Sequence, residues 1–296
     1  MNRRHFLRNT SLATLALSGT ELSFSQKETA PGRGPHKIYA FEKPLHFLDN
    51  AALANLIAGL GFSGIEATVR PGGRVPPERV EEDLPRLVEA LQKRGLEIGV
   101  MASGINRVND LNEKVLRTAA KLGIRHYRLA YWHYDFKKPI LPQLDAIAPA
   151  LKDLAALNRE LGLTGVYQNH AGSNYVGAVL WDLYSLIKDL NPAEIGLAFD
   201  IRHAVLENGL SWPAQFHLAK SHIRSVYVKD FAWENRKPKN VPLGQGQVDA
   251  KFFPMLKEAG FSGPISLHVE YLDHVKDAKL LGDAFGRDLK TLQAWL

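Results

Sequence analysis

Cysteine is absent from this chain of 296 residues, which excludes disulfide bonds and metal sites built from thiolates. The sequence also lacks any block rich in lysine and arginine: 37 basic residues are spread against 31 acidic ones, and the net charge is only +6. A mild, dispersed positive charge is not typical of a nucleic-acid-binding surface, so we expect no nucleic-acid partner. With 45% hydrophobic and 23% charged residues, the composition is ordinary for a globular protein.

The first residues carry a pattern of their own. The pair Arg3-Arg4 stands shortly before Phe6-Leu7, which resembles the motif of twin-arginine export signals. The weakly apolar stretch that follows, Ser11–Ser18, is too short and too rich in serine and threonine to span a bilayer. We therefore predict export to the periplasm and no stable membrane insertion once the signal is removed. The chain divides into an export signal, a linker rich in proline, glycine and charge, and a folded domain, which span residues 1–25, 26–36 and 37–296.

Beyond the linker, short apolar runs alternate with amphipathic stretches at intervals of about 30 residues. The runs predict eight strands: Lys37–Phe41, Gly64–Val69, Leu96–Met101, Arg125–Tyr131, Leu163–Asn169, Glu194–Asp200, Ile223–Lys229 and Pro264–Glu270. The clearest amphipathic stretches predict helices over Pro77–Lys93, Leu111–Lys121, Leu141–Leu161 and Val176–Leu190. Several helices are followed by a glycine suited to a left-handed C-terminal turn: Gly61, Gly95, Gly123, Gly162 and Gly260.

Eight strands that alternate with helices require a parallel sheet, and eight is the number that closes into a barrel. An open doubly wound sheet would normally carry a glycine-rich phosphate-binding turn after its first strand, and the sequence has none there. The fold class is therefore α/β, and the architecture that we predict is a single (β/α)8 TIM barrel.

Active sites of such barrels lie at the carboxyl ends of the strands, and side chains alternate along a strand between the interior and the helix layer. In strand eight, Ser266, His268 and Glu270 share one face, opposite an apolar face. The same parity places polar groups at the ends of strands two, five, six and seven. We expect a mouth lined by Glu66, Gln168, His170, Asp200, Lys229, His268 and Glu270.

Four segments of strands five to eight carry a resemblance to a known family. They are Tyr167-Gln168-Asn169-His170-Ala171-Gly172, Phe199-Asp200-Ile201-Arg202-His203-Ala204, Tyr227-Val228-Lys229-Asp230 and Gly244-Gln245-Gly246-Gln247-Val248-Asp249. Their order and placement are similar to those of the xylose isomerase-like TIM-barrel family, over essentially all of the chain from Lys37 onward. The family includes sugar phosphate isomerases and epimerases, inosose dehydratases and relatives of endonuclease IV, so the resemblance implies a small-molecule carbohydrate as the substrate.

Typical epimerases of this family bind one divalent cation through Glu, Asp, His and Glu at the ends of strands five to eight. At those positions this sequence has Gln168, Asp200, Tyr227 and His268. Asp200, Gln168 and His268 remain candidate ligands for one Mn, Zn, Co or Fe ion. Both glutamates of the family's acid–base pair are replaced, so classical 3-epimerisation is in doubt.

The candidate catalytic residues are Glu270, His268, His203, Lys229 and Glu66, and the candidate substrate-binding residues are His170, Asn169, Trp132 and Trp233. We expect an exported isomerase- or epimerase-like enzyme that moves a proton next to a sugar carbonyl, assisted by a metal or by Lys229 and His170. A lyase or hydrolase on keto-glycosides and a non-catalytic sugar-binding barrel remain open. Ordinary structural roles are open too: Asp230 could cap the loop after strand seven, and Lys229 could be an ion-pair partner of Glu270 or Glu66.

Overall fold

The computed structural model describes residues 36–296, so the predicted export signal and nearly all of the predicted linker lie outside the described residues. The strands are β1 (Ile38–Phe41), β2 (Gly64–Val69), β3 (Glu97–Ser103), β4 (His126–Arg128), β5 (Thr164–Gln168), β6 (Ile195–Asp200), β7 (Ile223–Val228), β8 (Asp230–Glu234), β9 (Lys237–Val241) and β10 (Ile265–Leu267). Eight of them are parallel and close into a barrel in the order β1-β10-β7-β6-β5-β4-β3-β2. The predicted (β/α)8 barrel is confirmed.

Nine α-helices of the described part of the chain surround the barrel: α1 (Asn50–Leu60), α2 (Val80–Gln92), α3 (Asp110–Lys121), α4 (Ile140–Leu161), α5 (Trp181–Ile187), α6 (Ile201–Asn208), α7 (Trp212–Ala219), α8 (Phe252–Glu258) and α9 (Ala278–Trp295). Within residues 36–296, no helix combines the length and apolar character needed to cross a bilayer. The five glycines expected to close helices all have positive φ, between 65° and 86°, and that prediction is also confirmed.

The main core lies between the barrel and the helices. The parallel strands are buried on both faces; all six residues of β2, for example, are buried. Each helix turns an apolar stripe inward, as α2 does with Leu84, Leu87 and Leu91, each 0% exposed. This double burial explains why the strands read as nearly continuous apolar runs in the sequence, and why polar residues within them have to face the barrel interior.

Predicted strands four and eight extend three residues beyond β4 and β10. The backbone N–H of Leu129 still bonds to Val166 (2.9 Å), but that of Ala130 turns to Ile105 O (2.8 Å), which lies outside the neighbouring strand. The chain therefore leaves the ladder after Arg128. These early departures carry the residues after the strands into the loops of the mouth.

The predicted helix Val176–Leu190 is wrong in its first turn, because α5 begins only at Trp181. The backbone N–H of Val176 bonds to Trp132 O at 3.1 Å, and Gly177 and Leu180 have positive φ. Tertiary pairing with the loop after β4 thus outweighs the helical periodicity of this segment.

A second difference follows strand seven, where β8 and β9 form an antiparallel hairpin that the periodicity of the sequence did not predict. Its turn residues, Asn235 and Arg236, both lie in the left-handed region, with φ of 50° and 63°. A two-residue turn of this hand matches the natural twist of a hairpin. Asn235, a residue type that tolerates positive φ, was the signal that could have indicated the turn.

Asp230 closes the base of this hairpin. Its carboxylate accepts four backbone N–H groups, from Phe231 (2.8 Å), Gly244 (3.0 Å), Gly246 (2.9 Å) and Val248 (3.0 Å). The family-like segment after the hairpin is thereby tied to the end of β7. The capping role considered for Asp230 is the one that the structure shows.

We expect Gly246→Ala to destabilise the fold by roughly 2–4 kcal/mol, by overpacking and by loss of hydrogen bonds to a buried carboxylate. A Cβ at Gly246 would lie 2.2 Å from Phe231 O and 2.3 Å from Asp230 Oδ1. The free energy of unfolding in urea measures this. The control is Gly59→Ala within α1, where a Cβ would meet nothing within 4 Å and helix propensity favours alanine. Equal stability of the two variants would contradict the steric argument.

Candidate functional site

Polar side chains from six strands converge at the carboxyl-terminal mouth of the barrel. They come from β2, β4, β5, β6, β7 and β10 or from the one to three residues that follow those strands. The parity expected for strand eight holds, because Ser266 and His268 both contact Glu66 across the interior. Most of these side chains are at least nine-tenths buried, so their hydrogen bonds and charges have to compensate one another within the protein.

His268 bridges two carboxylates. Its Nε2 lies 2.9 Å from Glu66 Oε2 and its Nδ1 lies 3.3 Å from Glu270 Oε1, and its ring stacks on Phe41 with centroids 4.3 Å apart. Burial alone would lower the pKa of His268, but the two carboxylates raise it overall. For Glu66, the charge and hydrogen bond of His268, the charge of Arg128 and a hydrogen bond from Ser266 outweigh the effect of burial. Together they lower the pKa of Glu66 to about 2. An imidazolium held between two carboxylates follows from this geometry.

Lys229 is the central cation of the mouth. Its Nζ lies 3.1 Å from both carboxylate oxygens of Glu270 and 3.5 Å from Asp200 Oδ2, and the lysine side chain is only 4% exposed. Burial opposes the charge, yet Glu270 and Asp200 raise the pKa of Lys229 above its usual value. Glu66 and Asp200 are fully buried, whereas the Glu270 side chain is 21% exposed. Of these three carboxylates, Glu270 is therefore the one open to a ligand.

Asn169 holds the end of β6 in place. Its Oδ1 accepts the backbone N–H of Asp200 at 2.8 Å, and its Nδ2 donates to the backbone oxygen of Asp200 at 3.0 Å. Asp200 in turn caps α6, since its Oδ1 accepts the N–H of His203 at 3.0 Å. The amide predicted to contact substrate is thus engaged with the main chain, and it positions Asp200.

Gln168 connects Asp200 to a buried guanidinium. Its Oε1 accepts from Arg128 Nη1 at 2.7 Å and from the hydroxyl of Tyr131, while its Nε2 donates to Asp200 Oδ2 at 2.7 Å. A guanidinium can only donate, so the amide oxygen has to face Arg128 and the amide nitrogen has to face Asp200. Burial raises the pKa of Tyr131 to about 12, so its hydroxyl keeps its proton.

His170 and His203 are two neutral histidines of the mouth, and their ring centroids lie 4.1 Å apart. Arg202 Nη1 lies 3.1 Å from His203 Nδ1, so that nitrogen accepts and the proton of the neutral ring is on Nε2, 3.5 Å from Asp200 Oδ2. His170 Nδ1 lies 2.8 Å from Ala171 O, which places its proton on Nδ1 and leaves Nε2 as an acceptor. Burial and the charge of Lys229 lower the pKa of His203 well below 6.5 and that of His170 to about 4.

The two tryptophans predicted to bind substrate occupy different places. Trp132 stacks on Tyr167 with centroids 5.5 Å apart and planes within 10°, half-buried in the loop after β4. Trp233 is 53% exposed on the hairpin, with its ring edge on Phe231. Stacking of a sugar on either ring stays a prediction.

The three candidate metal ligands do not present their lone pairs to one point. Both ring nitrogens of His268 face carboxylates, the oxygen of Gln168 faces Arg128, and Asp200 Oδ2 faces an amide N–H and the Lys229 ammonium. Within residues 36–296, no group of three or more His, Asp or Glu side chains is placed to hold a metal ion. In this arrangement the residues do not fit a divalent cation.

Three side chains near the mouth were missed by the sequence analysis. Arg128 is a charged residue within an apolar strand, which was a usable signal, and Arg70 directly follows β2. Glu42, 0% exposed after β1, accepts from Thr68 Oγ1 at 2.6 Å and from Arg74 Nε at 2.8 Å. That cluster joins the loops after β1 and β2, and it was not visible in the spacing of the sequence.

The sequence profile of the xylose isomerase-like TIM barrel family matches residues 54–291. The chain belongs to this family. No curated protein sequence matches it with significance.

Solved structures with the same fold include several sugar epimerases. The D-psicose 3-epimerase of Clostridium cellulolyticum with D-tagatose superposes with a TM-score of 0.67 at 13% identity, covering 88% of this chain and 98% of that one. The 3-keto-D-glucoside 4-epimerase of E. coli gives 0.65 at 16% identity, covering 88% and 99%. A xylose isomerase-like barrel of Mycobacterium smegmatis in complex with magnesium gives 0.66 at 14% identity, covering 88% and 98%. At these identities the likeness establishes the fold.

We predict that Glu66→Gln removes the main charge that raises the pKa of His268. In the wild type, a folded pKa above the unfolded value of 6.5 gives stability that is fully present below pH 6.5 and is lost as the pH rises through the folded pKa. The variant should lose roughly 3–5 kcal/mol, the usual cost of breaking a buried ion pair, and its stability should vary less over this range. Urea unfolding at pH 6 and pH 8, with NMR titration of the His268 ring, measures both effects.

The matched control is Glu234→Gln, which removes the carboxylate of an exposed ion pair with Lys239 on the hairpin. Such pairs contribute little, so its stability and pH dependence should equal those of the wild type. A His268 ring that titrates below pH 6.5 in the wild type would contradict the bridged imidazolium.

Proposed function

We propose that this protein is an enzyme of the sugar isomerase and epimerase type that moves a proton at the carbon next to a sugar carbonyl. The observation that carries the proposal is Lys229, whose ammonium is fixed at the mouth between Glu270 and Asp200. A preorganised cation in a water-poor site stabilises the negative charge that develops on a carbonyl oxygen as the neighbouring carbon loses its proton.

The two epimerases of similar fold support proton transfer next to a carbonyl as the reaction. A 3-epimerase of psicose inverts the carbon beside the C2 ketone, and a 4-epimerase of a 3-keto-glucoside inverts the carbon beside the C3 ketone. Both reactions need a base, an acid and a stabilised enediolate. The barrel here offers each of these from its own side chains.

The roles follow from which atoms are available. The positive charge of Lys229 stabilises the negative charge that develops on the carbonyl oxygen of the enediolate. His170, neutral and with Nε2 free to accept, takes the proton from the adjacent carbon on the β5 side of Lys229. Glu270, the carboxylate on the β10 side, takes up the proton of the neighbouring hydroxyl group. The His170 imidazolium then returns its proton to carbon, and Glu270 returns its proton to oxygen. His203, with its proton on Nε2, is a donor, and Glu66, His268 and Asp200 hold these groups in place.

We propose that this catalysis is independent of a metal ion. The ammonium of Lys229 lies beside Oδ2 of Asp200, the one family metal position that is unchanged in this sequence, and Gln168 Nε2 donates to the same oxygen. Lys229 supplies the single positive charge that the carbonyl oxygen needs. β-Elimination from a keto-glycoside would begin with the same proton transfer and would differ only in the loss of a leaving group from the enediolate.

We expect Lys229→Met to lower kcat at least 100-fold, the usual effect of removing a donor to a developing oxyanion, whereas chelator treatment should leave wild-type kcat unchanged. The assay is incorporation of solvent deuterium into neutral and oxidised keto-sugars and keto-glycosides, read by mass spectrometry. It detects proton transfer at carbon, whatever product is formed, when the base exchanges its proton with solvent before returning it. Lys239→Met, from the exposed pair with Glu234, is the control and should retain full activity.

The possible outcomes of these experiments distinguish the proposed function from its rivals. Activity that disappears with chelator and returns with Mn²⁺, together with bound metal that is lost in Asp200→Ala, would contradict metal-independent catalysis. A sugar that binds tightly but exchanges no deuterium would indicate a sugar-binding barrel. Loss of a glycosidic group would assign the lyase reaction. Turnover of sugar phosphates alone would count against an extracytoplasmic substrate.

We also propose that the protein works outside the cytoplasm, on the basis of the Arg3-Arg4-His5-Phe6-Leu7 segment. Replacing both arginines by lysine should block export through the twin-arginine route and leave the full-length precursor in the cytoplasm. Fractionation of cells that express the wild type and the double variant measures this. Equal distribution of the two proteins would contradict the proposal.

A further inference from the structure

One edge of the Arg128 guanidinium has no acceptor. Arg128 is 5% exposed. Its Nη1 donates to Gln168 Oε1 at 2.7 Å and to the Tyr131 hydroxyl at 3.1 Å. Its Nε is buried without a partner, and no residue of the described chain accepts a hydrogen bond from Nη2. The guanidinium is therefore held at one nitrogen, with its Nε–Nη2 edge left unpaired.

That edge is the one that binds a carboxylate through two parallel hydrogen bonds. A buried donor without an acceptor costs free energy in the unliganded protein, and a ligand oxygen would remove that cost. The guanidinium is also fixed in orientation, because its Cζ lies 5.9 Å from the Phe41 ring centroid and 5.6 Å from that of Tyr131. Little side-chain entropy would be lost when it binds a ligand.

A second guanidinium lies on the same side of the mouth. Arg70 directly follows β2, and the alternation of side chains along the strand places it on the interior face, as it does Thr68. The strand register sets Thr68 beside Ala102, and Ala102 beside Arg128. The Arg70 side chain makes no hydrogen bond or ion pair with any residue from 36 to 296. Burial and the like charge of Arg128 lower the pKa of Arg70. Arg70 thus adds a second positive charge on the Arg128 side of the mouth, and positive charge there would attract an anion.

The positive charges of the mouth outnumber its carboxylates. Glu66, Asp200 and Glu270 balance Lys229, His268 and Arg128. Arg70 and the buried Arg202 pair with no carboxylate among residues 36–296, and an anionic ligand would balance this excess. A planar carboxylate matches the two N–H groups of the Arg128 edge, and a phosphate monoester, which can pair in the same way, is the alternative that the binding test distinguishes.

We propose that Arg128 and Arg70 bind a carboxylate of the substrate, which makes the substrate a sugar acid. This inference rests on the proposed function only for the statement that the sugar carries a carbonyl; the anion site itself is independent of turnover. Arg128 makes the bidentate contact, and Arg70 supplies the second charge from the mouth.

The test is calorimetric binding to the purified protein. The probes are glucuronate, galacturonate and gluconate, the neutral glucose, galactose and glucitol, and glucose 6-phosphate. We expect at least one acid to bind at least tenfold more tightly than its neutral counterpart. Arg70→Gln should weaken that binding tenfold or more and leave neutral sugars unchanged. Arg107→Gln, an exposed arginine in the loop after β3, is the matched control and should bind as the wild type does.

Arg128→Lys keeps the charge and loses the bidentate edge, so it should also weaken acid binding tenfold or more; its circular dichroism spectrum and melting temperature show whether it folds. Acids that bind no better than neutral sugars, or equally well to Arg70→Gln, would overturn the inference, as would preferential binding of the phosphate. Acid binding that depends on Arg70 without deuterium exchange would overturn only the proposed function. Exchange in neutral sugars with no preference for acids would overturn only the carboxylate site.

Discussion

The ammonium of Lys229, shared between Glu270 and Asp200, is the interaction on which the rest of the mouth depends. An isolated charge buried in a barrel would be lost by neutralisation or would draw water into the interior. Here the charges alternate in sign. Glu66 contacts His268, His268 contacts Glu270, and both Glu270 and Asp200 contact Lys229. The Gln168 amide then connects Asp200 to Arg128. Each group is charged because its neighbours have the opposite sign, so removing one alters the protonation of the next.

The proposed metal-independent reaction would account for the changes at the positions where typical epimerases of the family bind a metal. A divalent cation and a lysine ammonium both supply positive charge next to a carbonyl oxygen, but they need opposite surroundings. A metal needs lone pairs that converge on it, whereas an ammonium needs acceptors around three N–H groups. Replacing a glutamate by Gln168 turns a ligand oxygen into an N–H donor toward Asp200. Under the proposed function, the substitutions at these positions form one consistent change, in which Lys229 supplies the positive charge.

The sequence predicted the barrel well because double burial leaves a strong local signal: apolar runs that end in polar residues, and glycines where helices turn back to strands. It also placed Glu66, Gln168, Asp200, Lys229 and His268 at one mouth, since strand parity alone fixes the side on which a residue lies. Parity does not determine which atom faces which. Tertiary contacts between segments distant in sequence determine three features: the main-chain bonds of Asn169, the orientation of the Gln168 amide and the start of α5. The periodicity of the sequence cannot predict them.

Arg128 shows what such contacts add to function. In the sequence it is one charged residue within an apolar strand; in the fold its Nη1 is consumed by Gln168 and Tyr131 while its Nε remains without a partner. If Arg128 served only to neutralise the mouth, a second arginine would not be needed next to it, and Arg70 would only add repulsion. A pair of like charges, one of them rigid and with an open bidentate edge, is costly in an empty site and favourable once an anion is bound. The groups that we propose to move the proton are Lys229, His170 and Glu270, so the added charge of Arg70 concerns the proposed recognition of an anion, and selectivity could change here without disturbing those groups.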